Sequence, residues 1–170
     1  MIAERPALVE THKKAGLYTG LALSAVLAII YVVKMQDAAW VRYIPVVLIA
    51  GGILGNAFTF SKANGGAVTF GQIFTSCFKA TAILTLIVMA WTLLSTYVFP
   101  EIDVTYKELL RRTIEGEKGL SAAERTEALT TAQKYSRLIF TSEMLFPCMF
   151  MGLLSSLIGG LTAPKNKMPV

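Results

Sequence analysis

Apolar residues dominate four stretches of the chain, Ala15–Val33, Val41–Phe60, Ile73–Phe99 and Leu138–Leu161, and polar residues gather between them. A helix needs about 20 apolar residues, at a rise of ~1.5 Å each, to cross ~30 Å of hydrocarbon. Backbone surrounded by lipid must satisfy its own hydrogen bonds, so stretches of this length and composition predict helices. The pattern therefore predicts an all-α membrane protein with four transmembrane helices, forming a single four-helix transmembrane domain over 1–170.

The segments between the stretches sharpen their ends. Lys34–Trp40 is short, which makes the first two spans antiparallel neighbours, and Pro45 falls in the first turn of the second, where its missing N–H is tolerated. Trp40 and Tyr43 stand where an aromatic belt would lie, and Arg42 can reach the headgroups. Asn64-Gly65-Gly66 supplies the positive φ of a tight turn. Thr69 and Gln72 have the spacing of a capping box, so the third helix starts at Phe70. That helix, over about 70–99, exceeds one crossing unless it tilts, and Phe99-Pro100 ends it.

Residues 101–137 form the one sizeable polar segment, read as an amphipathic helical hairpin between the third and fourth transmembrane helices. Thr105 with Glu108, and Ser121 with Glu124, offer two more capping boxes. Tyr106, Leu110 and Ile114 recur on one face of the first hairpin helix, and Ala128, Ala132, Tyr135 and Ile139 on one face of the second. No breaker separates this second helix from the fourth span, so one helix from Ala122 to Leu161 is expected, about 60 Å long. The tail from Ala163, with two prolines and two lysines, is expected to lack packed structure.

Composition agrees with lipid as the solvent: 54% of residues are hydrophobic and 16% charged, against about 25% charged in soluble domains. The net charge of +5 is not a nucleic-acid footprint. Acids and bases balance within 101–137, and no basic stripe interleaved with aromatics lies outside the spans, so nucleic-acid binding is not expected. The bases of the tails and short loops are those of a protein anchored at the cytoplasmic surface. Four spans put both termini on one side. A plain count of Lys and Arg slightly favours termini outside. The bases flanking the first span, with Lys62 and Lys79 around a short turn, outweigh that count and predict termini inside. The first span lacks a clean cleavage site and reads as an uncleaved signal-anchor.

Some residues could carry chemistry or assembly. Gly16, Gly20, Ser24 and Ala28 recur at i+4 on the first span, Gly51 and Gly55 on the second, and Gly152, Ser156 and Gly160 on the fourth. Small residues at this period let helices approach closely, either inside one bundle or against a partner or a second copy. Glu143 is the one acid within an apolar run, and Pro147 removes a backbone bond four residues on and should kink the helix. Glu143 could be a proton or cation site, or an interfacial hydrogen-bonding residue. Lys79 either snorkels to the headgroups or faces a polar path with Cys77, Thr81 and Thr85, and Asn56 could bond a Thr or Lys across helices. Cys77 and Cys148 read as small hydrophobes, the lone His12 makes no metal site, and Met144, Met149 and Met151 read as gap-fillers. No nucleophile–base constellation is spaced for catalysis, so neither enzyme activity nor a cofactor is expected.

The segment Asn64-Gly65-Gly66-Ala67-Val68-Thr69-Phe70-Gly71-Gln72-Ile73-Phe74 resembles the signature of an uncharacterised, domain-of-unknown-function family of small four-span bacterial inner-membrane proteins. The element order fits the resemblance: two spans, a Gly-rich turn, a long span ending in Phe99-Pro100-Glu101, a charged helical insert and a last span. It implies this fold and membrane location over nearly the whole chain, and no catalytic residues. The expected function is a non-enzymatic accessory or scaffold subunit that binds a partner membrane protein or a second copy. The alternative is small-solute or lipid transport with Glu143 and Lys79 in a bundle cavity, and a third, weaker one is a membrane enzyme with Glu143 as a base.

Overall fold

The computed structural model describes residues 8–35, 38 and 40–166, with the backbone alone for Arg42. Among the described residues the chain is all helical: α1 (His12–Val32), α2 (Ile44–Ala63), α3 (Phe70–Val98), α4 (Pro100–Gly116) and α5 (Ala122–Thr162), with a short 3-10 turn over Val41–Tyr43 before α2. Helices α1, α2, α3 and α5 are long and apolar enough to cross a membrane.

The helix ends follow local chemistry. Gly65 and Gly66 adopt φ of 63° and 74°, a left-handed turn that glycine enters at no steric cost. The Gln72 amide then donates to Thr69 Oγ1 at 3.3 Å while Gln72 Oε1 accepts from the Thr69 amide at 2.8 Å, closing the capping box that starts α3 at Phe70. Ser121 and Glu124 form the same box at the start of α5, at 3.3 and 2.9 Å. The box expected at Thr105 is not the start of α4. Pro100 occupies the first turn after Phe99, so Thr105 lies inside the helix, and Glu108 instead binds Arg111 and Arg112. Helix α5 runs 41 residues without a break, through Pro147.

The chain divides into two compact units. The first comprises Met1–Val88 with Pro147–Val170. Its centre holds Leu23, Ile53, Ile73, Cys77 and Leu84, which are shielded completely or nearly so. Beside them lie the buried polar residues Asn56, Ser76, Thr81 and Ser156. Outside lie large apolar side chains such as Ile29, Leu86 and Leu161, 60, 60 and 71% exposed. Polar side chains thus share the interior with Leu and Ile, while the outer face is as apolar as the core, which suits helices whose surroundings are themselves apolar.

One end of this unit is knitted by three chain segments. Asn64 accepts from the Val9 amide at 2.8 Å and donates to the Phe60 carbonyl at 2.8 Å. Asn166 donates from its amide to Gly66 O and from Nδ2 to Gly65 O, both at 2.8 Å, and Ser61 Oγ donates to the Pro164 carbonyl. The expectation of an unpacked tail is thus corrected for 163–166. The tail supplies donors to the turn's carbonyls, of which Gly66 O also accepts from the Val68 amide at 2.8 Å, and Ala163 is 3% exposed in the core. Residues 167–170, and Arg5 and Pro6 at the other terminus, lie outside the described residues.

The second unit is Met89–Phe146, built from the last turns of α3, all of α4 and the first half of α5. Tyr106 packs on Phe140 with ring centroids 5.0 Å apart, and Ala132 is buried with it. Leu110 and Ile114 are half-buried on the same face of α4, as their spacing predicts.

Candidate functional site

Asn56 is the polar centre of the first unit. It stands on α2, 2% exposed, one turn past the closely packed Gly52. Its Oδ1 accepts from Thr11 Oγ1, just before α1, at 2.7 Å. Its Nδ2 donates to Ser76 Oγ on α3 at 3.2 Å and lies 3.7 Å from Cys77 Sγ. One amide thereby joins three helices where water is scarce, and a bare amide there would be costly. The expected Thr or Lys partners become Thr11 together with Ser76 and Cys77. Thr11, Ser76 and Cys77 carried no sequence signal beyond their polarity. Thr81 Oγ1 donates to the Cys77 carbonyl of its own helix at 3.1 Å, so the stripe from Cys77 serves packing.

The small-residue stripes differ in what they meet. A Cβ on Gly16 would lie 2.6 Å from the Ala80 carbonyl, and one on Gly20 3.0 Å from Ile87. Gly16 and Gly20 therefore hold α1 against α3. A Cβ on Gly152 would collide with the Thr81 side chain, and one on Gly160 would lie 2.7 Å from the Phe70 ring. Ser156 is fully buried between them and donates to the Gly152 carbonyl at 2.7 Å. Gly52 against Thr19, and Gly159 against Ala57, are close approaches that the i+4 pattern did not single out. Gly51 and Gly55 behave otherwise. Both are exposed, and a Cβ on either would meet nothing within 4 Å.

The charged candidates both lie on the outside. Lys79 is exposed on α3. Gly16 packs beside Ala80, which puts Lys79 level with Lys14 at the polar end of α1. That position is a snorkelling one. Glu143 is exposed on α5, and so is Pro147. The Arg137 guanidinium stacks over the Tyr97 ring at 4.4 Å, and Tyr97 is 67% exposed, a cation–aromatic pair of headgroup type. Glu143 follows Arg137 by six residues, about 9 Å along the helix and into the apolar run. Each of these two side chains is on an exposed face.

Above Glu143 a polar cluster joins α4 to α5. Asp103 accepts from Ser136 Oγ at 2.7 Å and from Lys107 Nζ at 2.8 Å, with Arg137 Nε at 3.5 Å. Burial pushes the Asp103 carboxyl up, but Lys107, Ser136 and Arg137 outweigh it and hold the group below its ordinary value. The Tyr106 hydroxyl is buried and reaches no partner in full hydrogen-bond geometry. Burial, and then the nearby Glu143 carboxylate, push the phenol above its ordinary value. Two arginines beside Glu108 lower it to about 2 on the exposed face of α4.

Residues 14–164 match the family described as "Protein of unknown function (DUF4199)". No curated protein and no solved structure matches the chain. The match spans α1 from its third residue through the end of α5, and the four apolar helices make the protein a multi-pass integral membrane protein. On that coverage, the chain belongs to the DUF4199 family.

Proposed function

We propose that the protein is a non-enzymatic accessory subunit of a membrane complex, and that the outer face of α2 receives a helix of its partner. One observation carries this reading: of three small-residue stripes, those on α1 and α5 are filled by neighbouring helices, whereas Gly51 and Gly55 open outward between the exposed residues Val47 and Phe58. Glycine inside a helix costs about 0.5–1 kcal/mol relative to alanine, and close approach by another helix offsets that cost. The buried polar groups Asn56, Ser76 and Cys77 support the same reading, because their hydrogen bonds tie α2 to α3 and to the segment before α1.

We further place the protein in a bacterial inner membrane with both termini cytoplasmic. Lys14, Lys62 and Lys79 stand at the terminal end, and no described acid pairs with them. In the hairpin, Lys107, Arg111, Arg112 and Arg137 are matched by acids. The bases beside the first span and around the short 61–69 turn weigh most in orientation.

Affinity purification from native membranes, followed by mass spectrometry, tests the proposal. We expect a co-purifying membrane protein that is lost from the Gly51→Leu/Gly55→Leu double variant while the thermal midpoint in detergent is unchanged. By contrast, Gly152→Leu should destabilise the protein by about 1–3 kcal/mol through overpacking against Thr81. A monodisperse wild-type chain with nothing bound contradicts the reading.

A further inference from the structure

We propose that Glu143 is the docking point for a partner transmembrane helix that carries a Lys or Arg within its own apolar span. This inference rests on the accessory-subunit reading and names the chemistry of the partner. Glu143 lies inside the apolar run of α5 and is exposed, with exposed Ser142 beside it and Phe146, 72% exposed, one turn on. Carboxyl groups at such depth are expensive and pair with cations or donors. Among the described residues no Lys or Arg forms an ion pair with Glu143, and its neighbour within the fold is the neutral Tyr106 hydroxyl.

The backbone adds a second demand at the same place. Pro147 has no N–H, so the helix lacks the bond that residue 147 would donate to the Glu143 carbonyl. A long basic side chain from a neighbouring helix satisfies both groups, since lysine and arginine carry several donors on one charge. A second copy using the same face does not. Between Arg137 and Lys165 the chain holds no base, and two-fold packing would bring two Glu143 side chains together.

The test places a photo-crosslinking amino acid at Phe146 of the full-length chain in native membranes, with Leu86 as a control site. We expect one discrete adduct from position 146, mapping to a transmembrane segment that contains Lys or Arg. Glu143→Leu and Glu143→Gln should each reduce it about tenfold or more, and Glu143→Asp should retain it. Glu143→Gln keeps the shape of the side chain and guards against loss through misfolding. Adducts to lipid only, to a second copy, or to a helix without a base overturn the proposal, as does an adduct insensitive to both substitutions. If Glu143→Gln leaves co-purification intact while Gly51→Leu/Gly55→Leu abolishes it, the accessory reading stands and this inference fails. A wild-type chain that captures nothing removes both.

Discussion

Asn56 shows how much organisation one polar residue can impose in an apolar setting. Its amide accepts from the segment before α1 and donates to α3 while its backbone belongs to α2. Each interhelical bond in a membrane contributes on average ~0.6 kcal/mol, because the separated helices find other partners too. Losing both bonds and stranding Thr11 and Ser76 should therefore cost about 1–2 kcal/mol. We expect Asn56→Leu to lower the thermal midpoint in detergent, with Asn56→Ser recovering part of the loss. An unchanged midpoint for Asn56→Leu would show that the amide does not hold these helices.

At the scale of elements, α4 is fastened to α5 by charge as well as by Tyr106 and Phe140. Asp103 is the link, bound to Ser136 on the facing helix and flanked by Arg137. Its native pKa is lowered relative to an unfolded value of about 3.9. Its contribution to stability is therefore fully present above that value, and is lost as pH falls through the lower native one. Denaturation of the detergent-solubilised protein followed by circular dichroism at pH 7 and pH 3 should show acid weakening, and Asp103→Asn should show less of it. Equal acid sensitivity in the two proteins would remove Asp103 from that role. Helix α4 also shows where local signals compete. Thr105 and Glu108 have capping spacing, but Pro100 sets φ for a first helical turn and takes the start six residues earlier.

For the whole molecule, the elements that lipid dictates were legible in the residue pattern, and those that packing dictates were not. Length and hydropathy placed α1, α2, α3 and the apolar part of α5 to within a few residues, since a bilayer demands unbroken helices, and the Ser121–Glu124 spacing placed the start of α5. Gly-Gly and the Thr69–Gln72 spacing placed the turn, because those conformations depend on nearest neighbours. Which small-residue stripe is occupied depends on how helices rotate about their axes, and the i+4 spacing of Gly51 and Gly55 looks the same as that of Gly16 and Gly20. The anchoring of Asn166 on Gly65 and Gly66 joins residues about a hundred positions apart, beyond any local signal. Glu143 was visible as an acid in an apolar run, and only the fold shows it on the outer face.

The outward Leu, Ile and Phe side chains of the four spans lie in hydrocarbon. Single cysteines in a background lacking Cys77 and Cys148, probed in sealed membranes with an impermeant maleimide, test it directly. Four spans require that Lys118→Cys label from one side only and Lys165→Cys from the other. Ile29→Cys and Leu86→Cys should stay unlabelled, although both positions are exposed on the protein. Labelling of positions 29 and 86 as readily as position 118 would contradict it.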